Sequence, residues 1–353
     1  MTAIPGTPDQ VTPQWLSEVL GAPVSAAEVT PIGTGQTGAT YRVAVTYSGT
    51  TDLPDSFVVK LPAQDEQVRQ RVALSYFSEH AFYTQIAGTL AVPLPQCYHC
   101  ALAEDGAQFV LLLADMAPGE QGDQIRGCTP AQARLAVTAL AGLHGPRWCD
   151  DAWLTQTGVI MNRPDEPTAR GLGEITALAV ATTLERLGPR MSAQERQTIL
   201  DASALVGDWL INAPDRFSLL HGDYRADNLL FDPVHERVTA VDWQTLSVGL
   251  PARDLAYFIA TSLRPDDRAA QERTLVDAYH RALSVYVSDY DAESCWNDYR
   301  FGMVQVPMIT ALGHAYSSST ERGDDMALAM LQRGARAIRE LGTLELIQDR
   351  TVR

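Results

Sequence analysis

Phe217-Ser-Leu-Leu-His221-Gly-Asp223-Tyr-Arg225-Ala-Asp-Asn228-Leu-Leu-Phe231-Asp-Pro-Val-His-Glu-Arg-Val-Thr-Ala-Val-Asp242-Trp-Gln244 is the stretch around which this 353-residue chain is read. An apolar run, Phe217 to Leu220, delivers the polar cluster His221-Gly-Asp223. Asn228 follows five residues after Asp223, and the short apolar segments Leu229–Phe231 and Val238–Val241 flank a Pro-, Asp- and Glu-bearing loop. Two apolar runs around a polar loop predict an antiparallel hairpin. With Phe231 opposite Thr239, Asn228 and Asp242 face each other at its open end, and Asp223 lies one turn of loop away. Two carboxylates and an amide oxygen then converge on one point.

Hard oxygen ligands with open positions suit Mg²⁺, which is held by one or two protein groups plus substrate phosphates. Phosphoryl transfer uses such a set, one Asp orienting the attacking hydroxyl while an Asn and a second Asp hold the metal. Taken singly, Asp223, Asn228 and Asp242 read equally well as turn-capping loop residues. Their combination with the glycine loop and Lys60 decides for phosphoryl transfer. The chain here resembles the aminoglycoside phosphotransferase, choline kinase and ecdysteroid-kinase-like family of small-molecule kinases. The resemblance is carried by His221-Gly-Asp223-x-x-x-x-Asn228 and Asp242-Trp-Gln, followed by Gly249-x-Pro251-x-x-Asp254-Leu-Ala, and runs from about residue 30 to the C-terminus. It implies an α+β, bilobal, protein-kinase-like fold, with a small N-terminal lobe holding an antiparallel sheet (1–116) and a larger, mainly helical C-terminal lobe (117–353). It also implies ATP and Mg²⁺ as cofactors. Asp223 would orient the acceptor hydroxyl and take its proton late, and Asn228 and Asp242 would hold Mg²⁺. His221 reads as a scaffold within the loop, and the resemblance gives Asp254 the task of bracing that loop. Arg225 either contacts the transferring phosphate or is an ordinary surface arginine.

Upstream, Gly33-Thr-Gly35-Gln-Thr-Gly38 precedes Tyr41, Val43, Val45 and Tyr47, which alternate with smaller or polar residues. Alternation is the period of a strand. A dinucleotide fold needs a helix at that point, whereas a glycine loop between strands covers nucleotide phosphates in kinases. Ser56–Pro62 reads as the next strand, closing on Lys60, and 64–87 has a helical pattern containing Glu79. In kinases such a lysine contacts the α/β-phosphates and pairs with a helix glutamate. The resemblance, through Glu-x-x-Phe-Tyr, assigns that pairing to Glu79, with Asp65 and Glu66 facing solvent. It also places the interlobe hinge at Phe109–Gly119, where backbone groups from Ala114 to Met116 would meet the adenine. Relatives often carry an acid where Ala114 stands.

Helices are expected over 11–20, with Thr12 as cap, over 130–144 after Thr129-Pro130, and from the capping box Ser192-x-x-Glu195 through Leu210. His144 ends its helix, favoured there by the dipole. Residues 148–190 carry the least pattern. From Asp266 onward the periodicity is helical, and in relatives these helices wall the acceptor pocket. Phe301, Met303, Val306, Met308 and Ile309 suit an apolar alcohol or plain core packing, while Asp324-Asp325 would meet a cationic acceptor or cap a helix near Met326. Aminoglycoside-, choline- and sterol-like acceptors all stay open.

The net charge of −16 argues against nucleic acid or anionic membrane as main partner, since both reward Lys and Arg clusters. The longest apolar run, Phe109 to Ala114, is too short to span a bilayer, and Met1–Asp9 lacks the pattern of a signal peptide. Five cysteines, an odd number, fit a reducing compartment, so a cytoplasmic location is expected. Cys97-x-x-Cys100 is half of a zinc pattern with no second half and reads as structural. Against a protein-kinase substrate, His-Gly-Asp replaces His-Arg-Asp, Trp-Gln replaces Phe-Gly, and only twelve residues separate Asp242 from Asp254, which leaves no regulated activation segment. A hydroxyl of a small molecule is the expected acceptor. The competing reading is a silent nucleotide-binding protein that works through a partner.

Overall fold

The computed structural model describes residues 3–32, 38–104, 106–317 and 320–351. Gly33 and Gly35 lie outside them, so the expected glycine loop is represented only by Gly38, which opens a strand.

An antiparallel five-stranded sheet comes first, in the order β1 (Val24–Pro31), β2 (Gly38–Tyr47), β3 (Ser56–Pro62), β5 (Phe109–Ala114) and β4 (Cys97–Leu102). Successive strand residues point to opposite faces. In β3 this sends Phe57, Val59 and Leu61 to one face, where they pack with Val43, Val45, Val110 and Leu112 beneath Trp15 and Leu16 of α1 (Pro13–Leu20). Thr12 caps α1 as expected, its hydroxyl accepting from the Trp15 N–H. Lys60 therefore faces the other way. It pairs with Leu111 of β5, and Leu111 packs with Phe109 and Tyr76 on the sheet face covered by α3 (Ala73–Ala81). The strand period alone thus aims Lys60 at the helix that carries Glu79.

The expected single helix over 64–87 is broken. α2 (Glu66–Arg71) ends at Val72, α3 follows, and one π-helical turn spans Phe82–Ile86. The break re-aims the second half, so that Tyr76 stacks on Phe109 with ring centroids 5.3 Å apart.

Beyond residue 119 two small sheets remain, β6 (Glu120–Gln121) with β8 (Leu229–Asp232) and β9 (Arg237–Ala240), and β7 (Ser218–Leu220) with β10 (Ser247–Gly249). The predicted hairpin exists, but Phe231 stands opposite Val238 and Leu230 opposite Thr239. This register places the buried Phe231 beside the buried Val238, which the reading with Thr239 would have wasted.

The helices are α4 (Pro130–His144), α5 (Glu166–Leu187), α6 (Ala193–Ala204), α7 (Val206–Ile211), α8 (Ala252–Ser262), α9 (Pro265–Leu283), α10 (Ala292–Phe301), α11 (Gln305–Tyr316), α12 (Glu321–Leu341) and α13 (Thr343–Thr351). Capping boxes open α4 and α6, but the helix expected to run through Leu210 breaks at Leu205. The 22-residue α5 fills the segment that carried the least pattern. Every residue of α8 is buried, which makes it the central post of the larger part. Among the described residues no helix is long and apolar enough to cross a membrane.

Candidate active site

His221, Gly222 and Asp223 leave β7 as a tight loop. Gly222 has φ +83°, and a Cβ there would lie 2.2 Å from the Thr245 carbonyl oxygen, so only glycine fits. The loop is held from below by α8. Asp254 accepts from the His221 N–H (2.7 Å) and the Gly222 N–H (3.1 Å), as expected of the brace. One helical turn on, the Tyr257 hydroxyl donates to Asp223 Oδ1 at 2.9 Å. Spacing i, i+3 puts both on one helix face. Tyr257 was not anticipated, because a tyrosine inside an apolar helix gives no sign of where its hydroxyl ends.

Both oxygens of the Asp223 carboxylate are held, while its side chain stays 22% exposed. Arg225 Nε donates to both of its oxygens (2.9 and 3.0 Å) and Asn228 Nδ2 donates to Oδ2 at 2.9 Å. Arg225 is therefore no ordinary surface arginine. Its guanidinium also reaches Asp227 at 3.0 Å, and these two carboxylates hold it above its ordinary value even though burial alone would lower it. His221 behaves as a scaffold, its Nε2 3.0 Å from the Val241 carbonyl. His144 is buried rather than merely helix-ending. Its Nδ1 lies 2.8 Å from the Tyr279 hydroxyl and its Nε2 3.5 Å from Asp254.

Across the cleft, Lys60 Nζ lies 2.8 Å from Glu79 Oε2 and 2.8 Å from Asp242 Oδ1. Burial works against its charge, yet the two carboxylates keep Lys60 above its ordinary value. The acids diverge. Burial pushes Glu79 up against the pull of Lys60, whereas Lys60 holds Asp242 below the usual carboxylate range despite burial. Their neighbours explain the split: Glu79 also feels the repulsion of Asp242, whereas Asp242 has His221 and Arg225 near it besides Lys60. Asp65 instead caps α2, and Glu66 bonds Gln70.

Asp242 adopts φ +67°, a backbone state that non-glycine residues adopt at a cost and that clusters at functional sites. Next to it, Trp243 stacks flat on Phe82, ring centroids 3.9 Å apart and planes 5° from parallel. That contact ties the segment after α3 to the strand loop that bears Asp242.

Val241 N–H donates to the Asn228 carbonyl at 3.0 Å, so in the observed register Asn228 stands opposite Val241, and Asp242 lies one residue beyond it instead of directly opposite as the hairpin argument expected. Asn228 uses its Nδ2 on Asp223, which leaves its Oδ1 as the acceptor atom. At the end of β5, the Ala114 N–H donates to the Gln96 carbonyl at 2.8 Å and the Met116 carbonyl accepts from Gly119. Asp115 between them is gripped by Arg42 (2.7 Å) and Ser56 (2.6 Å). Cys97 and Cys100 lie on β4, and the Cys97 thiol is pushed up to about 11 by burial.

A brace-held loop with a carboxylate, an amide beside a second carboxylate, and a lysine between two acids is the set of groups that phosphoryl transfer uses in kinases. Residues 28–293 match the family model APH, described as the phosphotransferase enzyme family. The chain belongs to that family. In architecture this phosphotransferase-family chain is similar to the choline kinase of Cryptosporidium parvum Iowa II (TM-score 0.54, 9% identity, covering 92% of this chain and 91% of that one). It is also similar to an ethanolamine kinase of Plasmodium vivax (TM-score 0.51, 12% identity, covering 90% and 84%). At such identities the likeness shows the fold, which is the bilobal α+β kinase one. Among curated proteins, the human acyl-CoA dehydrogenase family member 11 is 42% identical over 64 residues, which span 17% of this chain and 8% of that protein.

Proposed function

We propose that this chain is an ATP- and Mg²⁺-dependent phosphotransferase that moves the γ-phosphate to a hydroxyl of a small molecule, working in the cytoplasm. The observation that carries the proposal is Lys60. It is a buried ammonium delivered by a strand and shared by a helix glutamate and an aspartate 182 residues later. A lysine so placed presents a fixed charge to α/β-phosphates. Gly33, Gly35 and Gly38 would cover those phosphates. The Ala114 carbonyl and the backbone of Met116 would meet the adenine, with the lobes divided between 116 and 117.

The donor set fits Mg²⁺: Asn228 Oδ1 and an Asp242 carboxylate kept ionised by Lys60 are hard oxygens, few in number, with the Asp242 side chain partly exposed. Bound there, the ion would neutralise charge on the phosphate oxygens. Asp223 would receive the acceptor hydroxyl. With four hydrogen bonds fixing its oxygens, it orients that group more than it competes for the proton, which suits a loose transition state with late proton transfer. Arg225, already in contact with Asp223, would offer its remaining N–H bonds to the transferring phosphoryl group.

The test is transfer of labelled γ-phosphate from Mg-ATP to a panel of alcohols, with Asp223→Asn as control and nucleotide binding followed by thermal shift. Transfer lost in the variant, with ATP binding retained, is expected. Stabilisation by no nucleotide at all would refute the proposal.

A further inference from the structure

We propose that the acceptor carries an anionic oxyacid group, a carboxylate or a phosphate, which docks on Arg322 while its hydroxyl faces Asp223. The inference rests on the phosphotransferase reading and narrows its substrate.

Asp227 stands inside the catalytic loop, between Asp223 and Asn228. Its carboxylate is already satisfied by Arg225 (3.0 Å) and by the Gln124 N–H (2.8 Å). Arg322 nevertheless approaches it fork-on, Nη1 and Nη2 each 3.2 Å from one oxygen. This second arginine comes from the first turn of α12, which Thr320 caps by accepting from the Gly323 N–H. The helix lies directly over the loop, since Arg225 Nη1 also touches Met326 Sδ at 3.1 Å. Arg322 is therefore three ion pairs from Asp223, in the order Asp223, Arg225, Asp227, Arg322.

Asp227 is nearly enclosed, but the Arg322 side chain is 45% exposed and makes no other hydrogen bond among the described residues. A half-exposed pair to an acid that already has an arginine adds little stability. What it does is hold a planar fork at the cleft with its outer N–H edge free, the geometry that suits carboxylate and phosphate. The positive end of α12 has the same sign preference.

Two of the acids that a cationic acceptor would draw on are already paired with basic side chains. Asp324 is taken by Arg186 (2.6 Å) and His314 (3.0 Å), and Asp325 by Arg190 (2.7 Å). Asp123 accepts from the N–H groups of its own turn, at Ile125 and Arg126. Glu321, beside Arg322, is exposed. Among the described residues Glu321 makes no hydrogen bond or ion pair with the catalytic loop, whereas Arg322 is held on it through Asp227, so the cation is the group fixed at the loop, in a chain whose net charge is −16.

The experiment uses the full chain and Mg-ATP, first confirming nucleotide binding by thermal shift. Acceptors are lactate and glycerate (carboxylate arm), glycerol 3-phosphate (phosphate arm), and choline, ethanolamine and gentamicin (cationic arm), each with wild type, Arg322→Gln and Arg322→Lys. Transfer to a member of either anionic arm is expected, the arm naming the oxyacid. KM for that acceptor should rise about tenfold or more in Arg322→Gln, with partial recovery in Arg322→Lys and an unchanged KM for ATP. Transfer confined to the cationic arm, an acceptor KM indifferent to Arg322→Gln, or silence of both anionic arms with Mg-ATP bound would overturn the inference while leaving the phosphotransferase reading in place. Absence of Mg-ATP binding would instead remove that reading first.

Discussion

Replacing Lys60 by methionine should do two separable things, and their separation tests the electrostatic account of the cleft. Glu79 is 1% exposed and its nearest cation is Lys60. Removing one partner of a buried ion pair leaves an uncompensated charge and costs about 3–5 kcal/mol. Asp242, 35% exposed, can turn to water and should add little. At an unfolding entropy of about 2.1 cal/mol/K per residue, a chain of this length unfolding as one unit should lose about 4–7 °C of Tm. The sign with pH follows from Glu79. Its folded value is raised by burial, so ionising it opposes folding above its unfolded value of about 4.3. The variant's deficit should therefore be small near pH 4 and grow toward pH 7. In Lys60→Met/Glu79→Met both buried charges are gone, and most of the lost stability should return while phosphoryl transfer stays abolished. Calorimetry across pH on wild type, both single variants and the double variant, beside the transfer assay, reads all of this. A double variant as unstable as Lys60→Met would refute the reasoning, because the cost would then not be the stranded carboxylate.

Tyr257→Phe removes a hydrogen bond to a carboxylate worth about 1.5–3 kcal/mol, so kcat should fall between about tenfold and a hundredfold. The KM for ATP should hardly move, while Tm should fall by about 2–4 °C at the same unfolding entropy, so a kcat loss with an unmoved nucleotide KM is what marks a positioning role in steady-state kinetics. Gly222→Ala sets a Cβ 2.2 Å from the Thr245 carbonyl at a positive φ. Soluble yield and the unfolding midpoint should both drop, and a wild-type midpoint in urea would contradict the loop geometry. Asp227 is held below its ordinary value by Arg225 and Arg322 although burial opposes this. Its contribution to stability is full above its unfolded pKa of about 3.9 and is lost as pH falls through the lower folded value. Asp227→Asn should therefore be less stable than wild type at pH 7, with the gap narrowing below about pH 4 in urea titrations.

Much of the site was legible because its residues sit at short spacings that the backbone converts directly into proximity. His221, Asp223 and Asn228 share one loop, and the strand period of Phe57, Val59 and Leu61 already turned Lys60 toward α3. The hairpin register was legible too and was misread. Phe231 and Val238 are the apolar pair that should oppose each other, and matching Phe231 to Thr239 ignored that. α5 escaped because Gly171 and Gly173 lower its helix propensity, while Ile175 and Leu178 lie exposed and blur its periodicity. Tyr257 and Arg322 were invisible for a different reason. Each meets its partner across 34 and 95 residues of chain, through the packing of α8 and α12, and no local pattern encodes such an encounter.

The flat stack of Trp243 on Phe82 has a consequence for the cleft. Both rings are fully buried, and such a pair is worth about 0.5–1.5 kcal/mol beyond its area. To swing α3 outward and break the Lys60–Glu79 contact would mean prying these rings apart and wetting them. The stack therefore couples the lysine–glutamate contact to the loop that bears Asp242, so that neither shifts without disturbing the other.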